Sequence, residues 1–327
     1  MNEWINRVHF GDCLETLRRM PDGIVNTCVT SPPYFGLRDY GHAGQIGLEE
    51  TPEQFIAKLV EVFREVRRVL RDDGTCWVNM GDSYAGSWGN QGRKEERGTQ
   101  RPINGGMLTP VHDGRYPDAG SNTGRIRMEG VKPKALKGIA WMLAFALRAD
   151  GWYLRQDIIW AKPNPMPESV TDRCTKAHEY VFLLSKSPRY YCDMGAIRGP
   201  AGPAAVSPLS QHVVRQGGRG RVLGVVHAPS ERSGEPDERN KRSVWTVATV
   251  PYKGAHFATF PPELIEPCIL AGSPAGGVGL DPFFGSGTTG EVAQNLGRHW
   301  IGCELNPAYK PLQDERLRQP GLILEAA

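Results

Sequence analysis

The sequence lacks any run of apolar residues long enough to cross a membrane, which requires about 18 to 20 consecutive residues. Its first ten residues also lack the apolar segment of a secretory signal. Hydrophobic residues make up 39% of the 327 residues and charged residues 23%, the proportions of an ordinary globular protein. These absences predict a cytoplasmic protein that has no membrane partner.

Paired cysteines are a second absence. The seven cysteines are scattered along the chain, and none of them forms a C-x-x-C pair. Their odd number and wide spacing argue against a disulfide framework and against a zinc site, and predict free thiols in a reducing compartment. We therefore predict no bound metal. The formal net charge of +3 is too small to indicate a nucleic-acid partner by itself.

Strand-like apolar runs alternate with amphipathic helical segments along most of the chain. This alternation predicts an α/β fold with a mostly parallel sheet. Residues 83–134 and 199–241 break the pattern, because Gly and Arg are frequent there and apolar periodicity is weak. Irregular stretches of this length are usually functional loops or disordered segments. We expect them to be basic loop insertions into the sheet rather than separate cores.

Residues 30–34, Thr-Ser-Pro-Pro-Tyr, directly follow an apolar run at residues 24–29. Proline cannot donate to a sheet ladder, and the residue before a proline is held extended. We therefore predict a stiff turn at the carboxyl end of a buried strand, where open α/β sheets bind their ligands. Its hydroxyl, free carbonyls and aromatic ring suit a flat base that carries an amino group, although a plain Pro-Pro turn is an equal alternative.

Residues 281–290, Asp-Pro-Phe-Phe-Gly-Ser-Gly-Thr-Thr-Gly, lie between a strand-like run and a predicted helix. The glycines allow a tight turn and close approach of a ligand, and the absence of Lys before Thr288 argues against a P-loop. Glu304 follows Gly285 by about 20 residues, the spacing of an acid that binds ribose hydroxyls. Asp281 favours a ligand with an ammonium or sulfonium group, such as S-adenosylmethionine, and NAD is the alternative.

Together, these two motifs resemble those of the amino-group DNA methyltransferases. The catalytic turn precedes the cofactor loop, as in the permuted beta class of that family, and the resemblance covers most of the chain outside the two insertions. It implies a circularly permuted, Rossmann-like S-adenosylmethionine-dependent methyltransferase fold. It also implies a catalytic half at residues 1–198, a target-recognition region at residues 199–250 and a cofactor-binding half of the same domain at residues 251–327.

The resemblance also implies roles for individual residues. Ser31 and the Pro32 carbonyl would accept hydrogen bonds from the target amine, next to Pro33, and Tyr34 would stack on a base flipped out of the duplex. Residues 256–261 would lie against the methionine part of the cofactor. The residues expected to bind the cofactor are Asp12, Thr30, His256, Ala258, Phe260, Asp281, Phe283, Gly285, Ser286, Gly287, Thr288, Thr289 and Glu304.

Several of these side chains have a second interpretation. Phe283 would pack against the adenine of the cofactor, but a core role for Phe283 or Phe284 is an equal alternative. Trp160, Lys162 and Asn164 follow a predicted strand beside the catalytic half and could line the base pocket, although Trp160 could instead belong to the core.

The resemblance further implies a target base and a DNA-contacting region. Most cytosine-N4 enzymes of the family carry Ser at the position of Ser31, whereas most adenine-N6 enzymes carry Asp or Asn. We therefore favour cytosine N4, with adenine N6 as the alternative. A serine hydroxyl could also donate to cytosine N3 or O2. Arginines in such loops read guanine or contact phosphate, and a solvated loop is the plain alternative. The expected DNA-binding residues are Arg215, Arg219, Arg221, Lys241 and Arg242.

Three functions therefore compete. The first is a site-specific methyltransferase of a restriction–modification system that acts on double-stranded DNA. The second is methylation of RNA or of a protein glutamine, which Ser31 and the basic insertions disfavour. The third is a non-catalytic DNA-binding subunit, which the intact loop at residues 281–289 disfavours. The sequence leaves open the recognition sequence, a cognate restriction endonuclease and the homodimer that beta-class relatives often form.

Overall fold

The computed structural model describes residues 3–36, 42, 44–85, 132, 134–200, 238–249 and 260–318. Its strands are β1 (Arg7–Phe10), β2 (Val25–Thr30), β3 (Leu70–Met80), β4 (Tyr153–Ala161), β5 (His178–Ser185), β6 (Gly199–Pro200), β7 (Glu238–Arg239), β8 (Val244–Thr246), β9 (Val278–Asp281) and β10 (His299–Glu304). Its α-helices are α1 (Cys13–Arg19), α2 (Pro52–Val69), α3 (Ile139–Ala149), α4 (Pro262–Gly272), α5 (Thr288–Asn295) and α6 (Lys310–Arg316). Most of the two predicted basic insertions lies outside the described residues.

Eight of these strands form one sheet in the order β1-β10-β9-β2-β3-β5-β4-β8, while β6 and β7 pair separately. Neighbouring strands of the large sheet are parallel, except that β5 runs antiparallel to both β3 and β4. The helices connect these strands. The predicted α/β fold with a mostly parallel sheet is therefore confirmed.

The two ends of the chain are interleaved in this sheet. Strand β10 pairs with β1 and β9 pairs with β2, so the two C-terminal strands lie between the first two strands of the chain. A circular permutation of an α/β fold produces this arrangement. Because β1, β10, β9 and β2 are parallel, their carboxyl ends meet at the same edge of the sheet.

Helix α2 shows why one predicted element forms where the sequence places it. The Thr51 side chain accepts a hydrogen bond from the Gln54 N–H, and Pro52 occupies the first turn. Residues at helical spacing, including Phe55 and Phe63, are fully buried on one face. Burial of each such side chain contributes about 1.5–3 kcal/mol, so this face fixes the helix on the sheet.

The sheet carries a core on each face. Helices α1, α2 and α3 cover one face, and α4 and α5 cover the other. Strand β3 contributes to both cores, because Cys76 and Val78 belong to the first and Trp77 to the second. Burial on both faces explains why the central strands are almost continuously apolar in the sequence.

The apolar pattern of residues 135–149 predicts a helix that starts at Ala135, but helix α3 begins at Ile139. The Asp82 carboxylate accepts hydrogen bonds from the N–H groups of Gly138 at 2.9 Å and Ile139 at 3.3 Å. Gly138 has a φ of +78°, which places it outside the helix. Local propensity missed this start because the capping carboxylate follows β3, 56 residues earlier in the chain.

The seven cysteines are free thiols. Among the helices of the described residues, none combines the length and the apolar character that a bilayer span requires. In the same part of the chain, no three His, Cys, Asp or Glu side chains are grouped closely enough to hold a metal ion.

Close packing of β10 against an aromatic ring gives a test of the fold. A Cβ added to Gly302 would lie 2.5 Å from Cγ of Phe284, whereas a Cβ added to Gly279 in β9 would meet only a carbonyl oxygen at 3.7 Å. Because the Phe284 ring is buried, we expect Gly302→Ala to lower the free energy of unfolding by about 1–3 kcal/mol. Chemical denaturation measures the effect, with Gly279→Ala as the matched control. Equal stability of the two variants would contradict this packing.

Candidate active site

The two sequence motifs meet at the carboxyl edge of the sheet. Strand β2 ends at Thr30 and leads into the Pro-Pro turn, and the neighbouring parallel strand β9 ends at Asp281 and leads into the Gly-rich loop. The Thr30 hydroxyl donates a hydrogen bond to Asp281 Oδ1 at 2.6 Å, although the two residues are 251 positions apart. The turn and the loop are therefore in direct contact.

Asp281 is the most enclosed acid of this edge, with 1% of its surface exposed. Besides the bond from Thr30, its carboxylate accepts hydrogen bonds from the Thr289 hydroxyl at 2.7 Å and from the Phe283 N–H at 3.0 Å. Burial raises the pKa of Asp281 to about 6, and these three donors oppose that rise. Within the described residues no basic side chain pairs with this carboxylate.

Glu304 supplies a second buried carboxylate at the end of β10. Its two oxygens accept hydrogen bonds from the N–H groups of Gly285 and Asn306, both at 2.7 Å. Burial raises the pKa of Glu304 to about 7. The neighbouring strand β1 ends close by, because the Gly11 N–H donates to the Glu304 carbonyl at 2.9 Å. Asp12 follows at the start of α1, where it accepts a hydrogen bond from the Glu15 N–H at 2.9 Å.

The Gly-rich loop has the tight geometry that its glycines predict. Gly285 and Gly287 have φ values of +53° and +90°, a region that other residues rarely adopt. The Gln313 side chain of α6 donates to the Gly285 carbonyl at 2.7 Å. This helix, which local sequence patterns did not connect with the loop, therefore holds the loop in place.

The loop hydroxyls are buried and face other parts of the protein. The Arg316 guanidinium of α6 donates to the hydroxyls of Ser286, at 2.7 Å, and Thr288. Both residues were predicted to bind the cofactor, and their side-chain oxygens serve at least to fasten α6 to the loop. The sequence did not predict this contact, because Arg316 carries no local pattern that relates it to the loop.

The two phenylalanines of the loop have different environments. The Phe284 ring is 3% exposed and stacks on Trp300, with ring centroids 5.2 Å apart and an interplanar angle of 15°. Phe284 is therefore a core residue. Phe283 is half-buried and packs against the core on the opposite face of the sheet. Phe260 is also half-buried and packs against the core that contains Phe284. Both rings therefore retain accessible surface.

In the Pro-Pro turn, Pro32 is buried and Ser31, Pro33 and Tyr34 are half-buried. Within the described residues the Pro32 carbonyl accepts no hydrogen bond from the protein. The turn is supported by Gly47, where an added Cβ would lie 3.3 Å from the Tyr34 carbonyl oxygen. The rigid turn thus presents a hydroxyl, a carbonyl and a ring at the sheet edge.

Two polar residues beside the turn were missed in the sequence. The Tyr34 hydroxyl donates to Glu179 Oε2 at 2.7 Å, and the Asn79 side chain donates to the same oxygen at 3.3 Å. Lys162 contacts the other oxygen of Glu179 at 2.5 Å. Glu179 lies in a largely apolar strand, β5. An acid in such a strand is the one sequence feature that could have pointed to a functional role for Glu179.

The other two residues suggested for the base pocket have structural partners. Trp160 is 4% exposed, and its ring N–H donates to the Val247 carbonyl at 2.8 Å. Asn164 exchanges two hydrogen bonds with the Thr249 backbone, each of 2.9 Å. These contacts fasten the segment that contains β8 to the end of β4.

Of the expected DNA-binding residues, the structure describes only Lys241 and Arg242, and neither lies at the catalytic edge. Lys241 and Arg242 precede β8, whereas the carboxyl end of β8 is the one that lies at that edge. The Lys241 ammonium packs over the Trp245 ring at 5.1 Å from its centroid, and Arg242 is exposed. The other expected DNA-binding residues, Arg215, Arg219 and Arg221, lie outside the described residues. Two expected cofactor-binding residues, His256 and Ala258, also lie outside them.

A family model described as DNA methylase matches residues 25–315 of the chain. The chain belongs to this DNA methylase family. At 46% identity over 310 residues, it is similar to the Type II methyltransferase M.XycI of Xanthomonas campestris pv. cyanopsidis, with 94% of this chain and 86% of the relative covered. It is also 47% identical over 308 residues to the Type II methyltransferase M.Cfr9I of Citrobacter freundii, with the same coverage of 94% and 86%.

The fold of this DNA methylase also occurs among solved structures. PvuII DNA methyltransferase (cytosine-N4-specific) has a TM-score of 0.60 and 18% sequence identity, and the match covers 96% of this chain and 87% of that chain. The predicted Rossmann-like methyltransferase fold is therefore confirmed, and the interleaved strand order is the predicted permutation.

The carboxyl edge of the DNA methylase fits the methyl donor of the family, S-adenosylmethionine. This cofactor carries a sulfonium, an ammonium and ribose hydroxyls. Burial raises the pKa values of Asp281 and Glu304, and no basic side chain among the described residues pairs with either carboxylate. Asp12 follows the next strand, β1. A cationic ligand with hydroxyl groups would therefore meet complementary partners at this edge.

The raised pKa values predict how the stability of the cofactor-free DNA methylase depends on pH. Burial raises the pKa of Glu304 from its ordinary value of 4.5 to about 7, so the folded state binds the proton more tightly than the unfolded state. Its contribution to stability is therefore present at low pH and is lost as pH rises from about 4.5 to 7. We expect the melting temperature of the wild type to fall relative to that of Glu304→Gln between pH 5 and pH 7.5. A difference in melting temperature between the two proteins that stays constant across this pH range would contradict the raised pKa of Glu304.

Proposed function

We propose that this DNA methylase transfers a methyl group to the exocyclic N4 amine of cytosine, as the methyltransferase of a Type II restriction–modification system. The observation that carries the proposal is the Ser31-Pro32 pair at the carboxyl edge of the sheet. It offers a hydroxyl and an available carbonyl beside the contact between Thr30 and Asp281. These groups lie where two motifs from opposite ends of the chain meet.

The chemical requirement is activation of a weak nucleophile. The lone pair of the cytosine amine is delocalised into the ring, so the nitrogen attacks poorly when it is planar. The Ser31 oxygen and the Pro32 carbonyl would accept the two amine hydrogens and draw the nitrogen toward tetrahedral geometry. S-adenosylmethionine supplies an activated methyl group on a positively charged sulfur. The main remaining task of the chain is to orient the two reactants, which can supply several kcal/mol of the barrier reduction.

The target base has to leave the DNA duplex before the turn can reach it. Flipping a base costs a few kcal/mol, which a stacking surface in the pocket helps to offset. We assign this stacking role to the Tyr34 ring, which is half-buried and next to Ser31. Cytosine is favoured over adenine because most cytosine-N4 enzymes of the family carry Ser at the position of Ser31, whereas most adenine-N6 enzymes carry Asp or Asn.

The cofactor side of the site would be formed by the carboxyl ends of β1, β10 and β9. In this proposal Glu304 binds the ribose, Asp12 lies near the adenine and Asp281 near the amino group of the cofactor. Phe283 and Phe260, together with His256 and Ala258, would supply the apolar contacts. Gly285, Gly287 and Thr289 would set the loop that admits the cofactor.

DNA contacts would come from the target-recognition region at residues 199–250, with Arg215, Arg219 and Arg221 as the proposed readers or phosphate contacts. Lys241 and Arg242 precede β8, away from the catalytic edge, so they would contact phosphates at a distance from the target base. We further propose a cytoplasmic enzyme, a cognate endonuclease that cuts the same DNA sequence when it is unmethylated and, by analogy with other beta-class enzymes, a homodimer.

The identity of the methylated base is directly testable. Purified enzyme is incubated with tritiated S-adenosylmethionine and plasmid DNA from a host that lacks DNA methylases, and the DNA is digested to nucleosides. We expect the label to elute with N4-methylcytosine. Label only in N6-methyladenine would overturn the base assignment but not the family. A parallel reaction contains total RNA from the same host, and label in that RNA but not in the DNA would overturn DNA as the substrate.

Variants should separate transfer from cofactor binding. Tyr34→Ala and Pro32→Ala change the base side of the site, so we expect them to abolish methyl transfer while the calorimetric affinity for S-adenosylmethionine stays within about twofold of wild type. Asp281→Ala removes a buried carboxylate of the cofactor side and should instead lose cofactor binding. Turnover like that of the wild type in Tyr34→Ala would refute the proposed site.

A further inference from the structure

The phenol of Tyr34 is held by a carboxylate from a distant strand. Its hydroxyl donates to Glu179 Oε2 at 2.7 Å, although the two residues are 145 positions apart. Because β5 runs antiparallel to β3, the first residues of β5 lie beside the last residues of β3 at the carboxyl edge. Glu179 is therefore delivered to the catalytic turn by strand topology and not by any motif.

Glu179 is itself held on both of its oxygens. The Lys162 ammonium contacts Oε1 at 2.5 Å, and the two side chains are only 18% and 16% exposed. The Asn79 amide donates to Oε2 at 3.3 Å and to the Tyr180 carbonyl at 3.1 Å. A carboxylate with partners on both oxygens has little freedom to rotate, so the acceptor for the phenol is fixed from β3, β4 and β5 together.

Gly81 fixes the same ring from another direction. A Cβ added to Gly81 would lie 2.7 Å from Cε2 and 3.1 Å from Cζ of Tyr34. The ring therefore lies directly against the backbone that follows β3. With its hydroxyl held by Glu179 and its edge against Gly81, the ring has neither a free end nor space to tilt toward the sheet.

The hydrogen bond between Tyr34 and Glu179 has a defined direction. Burial and the neighbouring charge of Glu179 both raise the pKa of Tyr34, so the phenol stays neutral and donates its hydrogen to the carboxylate. A phenol that donates its one hydrogen to a fixed carboxylate holds its ring in one orientation.

We propose that Glu179 is a positioning residue for methyl transfer, which orients the Tyr34 ring against the flipped base. This inference rests on the proposed function of the turn. In this arrangement Glu179 does not contact the base. It acts through the Tyr34 ring, whose hydroxyl donates a hydrogen bond to its carboxylate.

A double-mutant cycle tests the proposal. The wild type, Tyr34→Phe, Glu179→Ala and the double variant are compared for transfer from tritiated S-adenosylmethionine to plasmid DNA from a host that lacks DNA methylases. Each single variant should lower kcat about 10- to 100-fold, the usual effect of losing a hydrogen bond to a charged group. The double variant should be no slower than the slower single variant, because both changes break the same hydrogen bond between Tyr34 and Glu179.

Glu65→Ala is the matched control, because it removes a similarly half-buried ion pair, Arg68 Nε to Glu65 Oε2 at 2.7 Å, from α2. We expect its kcat to equal that of the wild type. Cofactor affinity should stay unchanged in Tyr34→Phe, and the variant should remain folded at the assay temperature. Multiplicative losses in the double variant, or an unchanged kcat in Glu179→Ala, would overturn the role of Glu179. Full activity of Tyr34→Ala would instead overturn the proposed function, so the two failures are distinguishable.

Discussion

The buried carboxylate of Asp281 is the constraint on which the site depends. A carboxylate that is removed from water is costly unless donors surround it, and here the donors are Thr30, Thr289 and the backbone of Phe283. They belong to β2, to α5 and to the loop that follows β9. Satisfying one acid therefore fixes the distance between the strand that precedes the catalytic turn and the helix that follows the cofactor loop.

A second carboxylate holds the other end of the same turn. Thr30, the first residue of the motif, is bonded to Asp281, and Tyr34, the last, is bonded to Glu179. The two acids differ in their electrostatics. Glu179 is neutralised by Lys162 within the protein, whereas Asp281 has no cation among the described residues and its pKa is raised to about 6. One acid is thus suited to hold a ring in place, and the other to meet a positively charged ligand.

The order of the strands along the chain matters less than the edge at which they end. Strands β9 and β10 are the last in sequence but lie between β1 and β2, and parallel pairing still brings Asp281, Glu304 and Asp12 to the same edge as the turn. Ligand binding at the carboxyl ends of parallel strands is a property of the sheet, so a permuted chain retains it. The additional helix α6 then fastens the Gly-rich loop through Gln313 and Arg316.

The sequence by itself determined the class of fold and the two motifs, because strand alternation, the Pro-Pro turn and the Gly-rich loop depend on neighbouring residues. It also related Glu304 to the Gly-rich loop, because the spacing between Gly285 and Glu304 reflects a single loop–helix–strand unit. Only the tertiary structure decided that Phe284 is core while Phe283 keeps accessible surface, that Asp82 sets the start of α3, and that Glu179 holds Tyr34. The contacts of Asp82 and Glu179 join residues that are far apart in the sequence. The environments of Phe283 and Phe284 depend on which face of the sheet each ring packs against. Local propensity carries no information about partners that only the packed sheet brings within hydrogen-bonding distance.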